Sequence, residues 1–266
     1  MIVLSIGILI TLFIIYSVLG TTKRAKSIPF LKGIYYHRGF YDNHEIAENS
    51  MRSFEKCINK GYGIELDVQL TQDKQVVVFH DDRLERMCHS HLVVKETSFE
   101  DLSHFYLLET NDKIPLFEDV LKLNNGRVPI YIEIKDFSMN FKELVNMTLQ
   151  LMEKYPGDYY VCSFNVIAII YLRKLNPKIL RGVISQNFKN DNYSKFKGFL
   201  LQNMFLNFLA KPDVISYEYN EINWSVRLNK LLKRKIAGWA IASQQEFDAY
   251  KDFFDIAVIE HFEPTK

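Results

Sequence analysis

Short apolar runs alternate with amphipathic helical stretches along most of this chain. The runs are rich in Val, Ile and Tyr, which favours β-strands, and the stretches between them have helical spacing. Strands that are separated by helices pair in parallel, so the alternation predicts a parallel sheet covered by helices. Eight repeats predict a closed (β/α)8 TIM barrel of the α/β class, with strands at residues 33–37, 63–70, 129–135, 159–163, 179–184, 213–216, 236–241 and 256–260. Helices are predicted at residues 50–60, 117–123, 140–154, 166–175, 196–209, 225–233 and 244–253.

One segment interrupts this alternation. Residues 76–79 follow a turn at residues 72–74, which predicts a hairpin with the second strand. Residues 81–116 then form a long excursion before the third barrel strand, and long segments of this kind in compact domains are usually functional. We therefore predict a barrel domain at residues 33–266 with a small inserted subdomain at about residues 81–116, after the second strand.

The first 19 residues contain no charged side chain. A helix of that length spans about 28 Å, which is close to the hydrocarbon thickness of a bilayer. A cleaved signal peptide is the alternative, but it requires a basic region before the apolar run and a small-residue cleavage site, and neither is present. The pattern predicts a transmembrane helix that serves as an anchor at residues 1–20, followed by a linker at residues 21–32.

Three basic residues, Lys23, Arg24 and Lys26, follow the apolar run directly. The positive-inside rule places such a flank on the cytoplasmic side. The three cysteines are an odd number at scattered positions, which is typical of a reducing compartment. We expect a single-pass membrane protein that contacts the membrane through its N-terminal helix and has its barrel on the cytoplasmic side.

Charge and apolar composition limit the partners of the chain. The net charge is +1, so the charge balance predicts no nucleic-acid partner. Residues 199–209 are unusually apolar but too few to span a bilayer. Two interpretations remain open for this segment: a helix that faces a membrane or an acyl chain, or an ordinary barrel helix buried against the sheet, which is favoured.

Two carboxylates share one face of the second strand. Glu65 and Asp67 are two residues apart, and side chains in a strand alternate faces, so both point the same way. They repel each other unless a positive group lies between them, and their oxygens suit a hard divalent cation such as magnesium, calcium or manganese. Glu133 lies in another apolar run, where a carboxylate is costly unless it is paired with Lys135 or bound to a metal ion.

Two histidines and an arginine also fall at strand ends. His37 and Arg38 close the first strand, and His80 closes the hairpin strand. Histidine titrates near neutral pH, so one ring can accept a proton while the other donates one, and a guanidinium can bind two phosphate oxygens at once. Active sites of (β/α)8 barrels lie at the carboxyl ends of the strands, so we expect these residues to meet there.

In order and spacing, these motifs resemble the glycerophosphodiester phosphodiesterase family. The resemblance covers roughly the first third of the chain after the linker and is weaker towards the end. The matching motifs are His37-Arg38-Gly39, Glu48-Asn49-Ser50, Glu65-Leu66-Asp67-Val68, Val78-Phe79-His80-Asp81-Asp82 and Ile132-Glu133-Ile134-Lys135.

The resemblance implies roles for particular residues. It implies a divalent metal ion, magnesium or calcium, held by Glu65, Asp67 and Glu133, with Glu48 as a further candidate near the metal. It also implies that His37 and His80 are the catalytic acid–base pair. The substrate-binding residues that it implies are Arg38, Lys135, Phe164 and Trp239. Ala240 and Ala242 stand where the family has Thr and Asn after the tryptophan, so this element offers no side-chain hydrogen bond to a head group.

The activity that the resemblance implies is metal-dependent hydrolysis of glycerophosphodiesters to glycerol 3-phosphate and an alcohol. One histidine would deprotonate the 2-hydroxyl of the glycerol, which attacks phosphorus, while the other protonates the leaving alcohol; water then opens the cyclic phosphate. The alternative is a lysophospholipase D acting on membrane lysophospholipids, which the predicted anchor and residues 199–209 favour. A catalytically inactive membrane scaffold is disfavoured, because every acid, base and ligand is present.

Overall fold

Eight parallel strands close into a barrel, as the alternation predicts. The computed structural model describes residues 2–22, 24–135, 140–190 and 193–265. The first barrel strand pairs with both the second and the last, which closes the sheet. The strands of the described residues are β1 (Gly33–Tyr36), β2 (Gly63–Leu70), β3 (Val76–Val78), β4 (Ile130–Ile134), β5 (Tyr159–Ser163), β6 (Arg181–Ser185), β7 (Val214–Glu218), β8 (Lys235–Ile241) and β9 (Ile256–Ile259).

Helices follow most of these strands and cover the outside of the sheet. In the part of the chain that the structure describes they are α1 (Ile2–Val18), α2 (Met51–Lys60), α3 (Glu85–Cys88), α4 (Phe99–Leu102), α5 (Phe117–Asn124), α6 (Phe141–Met152), α7 (Val166–Leu175), α8 (Lys195–Gln202), α9 (Asn207–Ala210), α10 (Trp224–Leu231) and α11 (Gln244–Tyr250), with 3-10 turns at Arg24–Ser27, Val94–Glu96 and Phe188–Asn190. Local signals set the ends: α2 begins at a capping box between Ser50 and Ser53 and ends at Gly61, which adopts a φ of 75°.

The strand sequences put apolar and polar side chains on opposite faces. On β2 and β4, Ile64, Leu66, Ile130 and Ile132 belong to the core between sheet and helices. The alternate positions point into the barrel, which places the carboxylates of these strands in its interior. A second apolar cluster, which includes Tyr35, Tyr131, Tyr160, Val214 and Ile256, fills the barrel below them. The interior is therefore packed, and the site lies above this packing.

The predicted hairpin is confirmed. β3 pairs antiparallel with β2, and Val78 lies opposite Val68. Residues 81–116, which we call the inserted segment, carry α3, α4 and a small apolar core of their own around Leu84, Met87 and Leu102. This core also takes in Phe79, so the segment is packed against the hairpin next to the site.

The predicted transmembrane anchor at residues 1–20 is wrong. Helix α1 has 17 residues, which is about 26 Å of helix, and among the described residues no helix combines the length and the apolar character needed to cross a membrane. The helix stops where its end packs on the barrel: the Val18 carbonyl accepts hydrogen bonds from the side chains of Asn207 and Asn229. The expected localisation, a single-pass membrane protein with a cytoplasmic barrel, is corrected with it, and the expected membrane contact through this helix finds no support among the described residues.

The basic flank after α1 also has a different role. The guanidinium of Arg24 pairs with the buried carboxylate of Asp213 at 2.7 Å and donates to the carbonyls of Pro177 and Ile179. Lys23 lies outside the described residues. The segment after α1 is thus held on the barrel by charge-assisted hydrogen bonds.

The helix predicted at residues 196–209 is two helices. Helices α8 and α9 are separated by a turn in which Met204 has a φ of 55°. Met204 is buried, whereas Phe199 is 49% exposed. Only part of this apolar segment therefore packs on the barrel, and its apolar pattern alone did not reveal the turn.

Candidate active site

A cavity of about 180 Å³ opens at the carboxyl ends of the barrel strands. Eight of the residues singled out from the sequence line it: His37, Arg38, Glu65, His80, Glu133, Lys135, Phe164 and Trp239. Residues from strands far apart in sequence meet here because all eight strands run in the same direction around the barrel.

Three carboxylates form the floor of this site. Glu65, Asp67 and Glu133 each offer an oxygen, and these oxygens lie within 4.8 Å of one another. The pairing of β2 with β4 produces this arrangement, because Asp67 lies directly opposite Glu133 in the register. All three side chains are buried.

The electrostatics of this trio fit a hard divalent cation. Burial and the charges of Asp67 and Glu133 raise the pKa of Glu65 well above its usual range. Although burial alone would raise the pKa of Asp67, Lys135, His80 and Arg38 hold it well below its usual range. Asp67 Oδ1 is buried and accepts no hydrogen bond within the described residues, although Lys135 Nζ lies 3.2 Å away. An oxygen-only donor set with excess negative charge is what magnesium or calcium prefers.

Each histidine of the cavity is backed by a carboxylate. His37 Nδ1 lies 2.5 Å from Glu260 Oε2, and His80 Nδ1 lies 2.6 Å from Asp81 Oδ1. Burial opposes ionisation of both acids, but their histidine partners hold the pKa of Glu260 and of Asp81 below the usual range. An ionised carboxylate only accepts hydrogen bonds, so each Nδ1 donates to its carboxylate and each Nε2 is left to exchange a proton in the cavity.

The two histidines differ in their surroundings. Burial lowers the pKa of His37, and the hydrogen bond to Glu260 opposes this only in part. At neutral pH the His37 ring is therefore uncharged and suited to accept a proton.

Two cations lie on the wall of the cavity. Lys135 Nζ is 2.8 Å from Glu133 Oε1, and although burial would lower the pKa of Lys135, Asp67 and Glu133 raise it to about 12. Arg38 Nη1 donates to Glu48 Oε1 at 2.8 Å. The Nε of Arg38 is buried, has no hydrogen-bond acceptor in the described part of the chain, and lies 3.6 Å from Asp67 Oδ2.

Glu48 lies beside Arg38 rather than within the carboxylate trio. It accepts hydrogen bonds from Arg38, Arg86 and Asn43. Burial opposes its ionisation, but Arg86 and Arg38 lower its pKa to about 2. Glu48 therefore holds the guanidinium of Arg38 in position.

The aromatic wall is built by an irregular strand. The pairing of β8 with β9 shifts register between Gly238 and Ile241, and Ala240 there has a φ of 60°. This bulge accompanies the placement of Trp239 in the cavity, edge-on to Phe164 with ring centroids 5.7 Å apart. Trp239 Nε1 is a second buried donor without an acceptor among the residues described.

Two functional candidates were missed by the sequence reasoning. Glu260 ends the last predicted strand, so the rule that found His37 at a strand end also applies to it. Arg86 lies in the inserted segment, and no pattern in the sequence connects it with the barrel; its contacts appear only in the folded chain.

Comparisons with known proteins agree with this geometry. The model of the Glycerophosphoryl diester phosphodiesterase family matches residues 37–241. A glycerophosphodiester phosphodiesterase of Bacillus altitudinis is 34% identical over 165 residues, which cover 58% of this chain and 66% of that protein. A lysophospholipase D of Rattus norvegicus is 28% identical over 167 residues, which cover 58% of this chain and 51% of that protein.

A solved structure shares the fold. A phosphodiesterase from Oleispira antarctica, determined with the product sn-glycerol-3-phosphate, superposes with a TM-score of 0.70 at 18% identity, over 86% of this chain and 93% of that one. With the match of the family model, this chain belongs to the glycerophosphoryl diester phosphodiesterase family, whose members are phosphoric diester hydrolases.

Proposed function

We propose that this protein hydrolyses glycerophosphodiesters to glycerol 3-phosphate and an alcohol, with magnesium or calcium held by Glu65, Asp67 and Glu133. The observation that carries this proposal is a single cavity in which two carboxylate-backed histidines face the carboxylate trio and two cations. The proposed catalytic unit is residues 33–266, with the inserted segment at residues 81–116.

The chain's own residues supply the proton transfers. His37, uncharged at neutral pH, accepts the proton of the glycerol 2-hydroxyl at Nε2, and the freed oxygen attacks phosphorus. His80, protonated at Nε2 for this step, gives that proton to the oxygen of the leaving alcohol. In the second step the roles reverse: His80 accepts a proton from water, water oxygen bonds to phosphorus, and His37 returns its proton to the 2-oxygen as the cyclic ester opens.

Charge on the phosphoryl oxygens is met by groups already in place. Arg38 Nε and Trp239 Nε1 are buried donors with no hydrogen-bond acceptor among the described residues, and Lys135 lines the same cavity. A bound divalent cation would add Lewis-acid stabilisation of the negative charge. These groups favour the transition state because they need no reorganisation when the charge develops.

Product analysis tests this proposal. The protein is incubated with glycerophosphocholine, glycerophosphoethanolamine, glycerophosphoinositol and diglycerol phosphate, with and without a chelator. We expect glycerol 3-phosphate and the free alcohol, loss of activity on chelation, and no turnover of a 2-deoxy analogue. Turnover of the 2-deoxy analogue at the rate of the parent diester would contradict attack by the 2-hydroxyl, and full activity after exhaustive chelation would contradict the metal.

A lysophospholipase D activity is the second candidate. A shallow apolar depression lined by Val183, Phe188, Leu200, Leu201 and Met204 adjoins the cavity and shares Phe164 and Ile184 with it. The similarity to the rat lysophospholipase D points the same way. The depression holds only about 10 Å³, which is too little for an acyl chain, and this ranks the activity second.

A variant with a larger side chain in the depression distinguishes between the two substrates. If lysophospholipids are substrates, Leu200→Trp lowers kcat/KM for lysophosphatidylcholine and leaves that for glycerophosphocholine unchanged. Equal effects on both substrates, or no turnover of the lysolipid by the unaltered protein, would rule out this candidate.

A further inference from the structure

Arg86 is an arginine of the inserted segment that reaches the barrel. It lies in α3 between Leu84 and Met87, whose side chains are fully buried in the core of the inserted segment. This packing on both sides fixes the position of its backbone. The direction of its side chain is therefore set by the inserted segment and not by the barrel.

The guanidinium of Arg86 bridges two carboxylates. Its Nε donates to Asp81 Oδ2 at 2.7 Å, and its Nη2 and Nη1 donate to Glu48 Oε1 and Oε2 at 2.7 and 2.9 Å. The planar fork of an arginine is suited to such a double contact, whereas a lysine ammonium is a single point of charge.

Each of these carboxylates holds a different residue of the cavity. Asp81 accepts the hydrogen bond of His80 Nδ1 at 2.6 Å, and Glu48 accepts that of Arg38 Nη1 at 2.8 Å. One guanidinium thus joins the partner of a histidine to the partner of a phosphate-binding arginine. Asp81 and Glu48 thus act on the reacting atoms only through one further residue each, His80 and Arg38.

We propose that Arg86 is a positioning residue, which orients His80 through Asp81 and Arg38 through Glu48 and so makes the barrel site depend on the inserted segment. This inference rests on the proposed diester hydrolysis for its kinetic consequences. Without Arg86, Asp81 keeps only the ring of His80 as a hydrogen-bonding partner on its side chain among the described residues, and it becomes free to turn away from Nδ1.

A variant of Arg86 should fold. The side chain of Arg86 is 45% exposed, whereas that of Glu48 is only 4% exposed, so losing Arg86 costs some stability. Glu48 keeps its hydrogen bonds from Arg38 and Asn43, which continue to satisfy its carboxylate. Arg86→Gln should therefore unfold at a somewhat lower temperature but remain fully folded at the assay temperature, while its turnover of glycerophosphocholine falls about 10–100-fold, the usual effect of losing an outer partner that orients a site residue. Arg86→Lys should recover only part of this loss.

Arg83 provides the matched control. It lies in the same segment, is exposed, and makes one long hydrogen bond of 3.4 Å to the carbonyl of His91. Arg83→Gln removes the same charge and should leave turnover unchanged. If both variants lose activity equally, general charge is responsible and the positioning role is wrong.

A double-mutant comparison shows the route of the effect. If Arg86 acts on turnover through Asp81, Arg86→Gln should cost little further kcat in an Asp81→Asn background. Additive losses would contradict that route. A loss of binding that persists in this background, seen as a higher KM, is expected from the second route through Glu48 and Arg38.

The ring state of His80 gives a readout that does not require activity. Nitrogen NMR of the histidine rings, assigned with His80→Gln, should show His80 with the proton on Nδ1 in the unaltered protein and a mixture of both tautomers in Arg86→Gln. An unchanged His80 tautomer overturns the proposal even if no substrate is turned over. If the unaltered protein hydrolyses no diester but the tautomer shifts, the proposed function fails and the positioning role stands.

Discussion

At the scale of single residues, the site is a set of groups that are each held by a specific partner. His37 is held by Glu260 and His80 by Asp81, so both rings present the same nitrogen to the cavity. The rings differ in exposure, which is 15% for the side chain of His37 and 27% for that of His80, and burial lowers the pKa of His37. Two similar dyads can therefore take opposite parts in one reaction, as acid and as base.

Removal of either imidazole should lower turnover more than any other change outside the carboxylates. We expect His37→Ala and His80→Ala to reduce kcat for glycerophosphocholine by about 10²–10⁴-fold, the usual weight of proton transfer by a positioned side chain. His104→Ala is the control, because His104 is exposed and lies in the inserted segment away from the cavity. A near-normal kcat in either of the first two variants, with the fold intact, would remove that ring from the mechanism.

The pH dependence follows from the pKa of His37. Because that pKa lies below the ordinary 6.5, the ring loses its function as a base only at lower pH, and the acid limb of kcat/KM should fall below pH 6.5. Glu260→Gln removes a negative charge that raises this pKa, so the limb should move to still lower pH. The control is Glu263→Gln, which removes an exposed carboxylate paired with Lys60. A limb that moves upward in Glu260→Gln would contradict the assignment of His37 as the base.

At the scale of elements, the strands were predictable and the irregularities were not. All eight barrel strands were expected near their observed positions, because burial on both faces of a parallel sheet requires continuous apolar runs. The turn at Met204 and the bulge at Ala240 depend on left-handed backbone conformations at residues that rarely adopt them. Tertiary packing imposes these conformations, so no local pattern announces them.

The contribution of the β8 bulge to the aromatic wall can be tested by substitutions at Ala240. Ala240→Gly should be neutral or raise the free energy of unfolding by up to about 1 kcal/mol, because glycine adopts a positive φ without the steric cost. Ala240→Val should lower that free energy by at least about 1 kcal/mol and reduce kcat/KM, because a β-branched residue at a φ of 60° forces the strand to shift beneath Trp239. Chemical denaturation and steady-state kinetics measure both effects.

Ala242→Val serves as the control for this bulge. Ala242 is exposed, and its φ is not positive. The same added volume there should change neither stability nor kcat/KM by a measurable amount. Equal losses at positions 240 and 242 would show that the effect of Ala240→Val is not due to the backbone of the bulge.

At the scale of the whole molecule, the barrel brings together residues that the sequence identified as candidates without showing their positions in space. The carboxylates, histidines and cations of the cavity come from four regions of the chain, and motif order identified them before any contact was known. The N-terminal helix shows the opposite case. Its apolar composition suggested an anchor, but composition does not show where a helix ends or what its last turn packs against. Arg86 likewise depends on how the inserted segment folds back on the barrel.

If the carboxylate trio binds a metal ion as proposed, metal binding is linked to the stability of the whole fold. Glu65 has its pKa raised in the folded state, so it binds a proton more tightly there than in the unfolded chain. In metal-free protein the corresponding stability is fully present below the unfolded pKa near 4.5 and is lost as pH rises through the folded pKa. In the proposed function, a divalent cation would take the place of this proton at the carboxylate trio. It should therefore restore stability at neutral pH, by about 2.7 kcal/mol at a concentration of 100 times its dissociation constant.

Thermal unfolding with and without magnesium or calcium measures this linkage. The unaltered protein should gain stability from the cation at pH 7 and much less at pH 4, where protons compete for the oxygens. Glu65→Gln should remove the stabilisation by the cation. It should also remove the loss of stability that the metal-free protein shows between pH 4 and pH 7, because a glutamine amide does not titrate in this range. Glu118→Gln, on an exposed face of α5, is the control and should behave as the unaltered protein does. A cation effect that survives in Glu65→Gln would mean that the cation binds elsewhere. Among the described residues, Glu65, Asp67 and Glu133 are the only group of three acids close enough together to hold a metal ion.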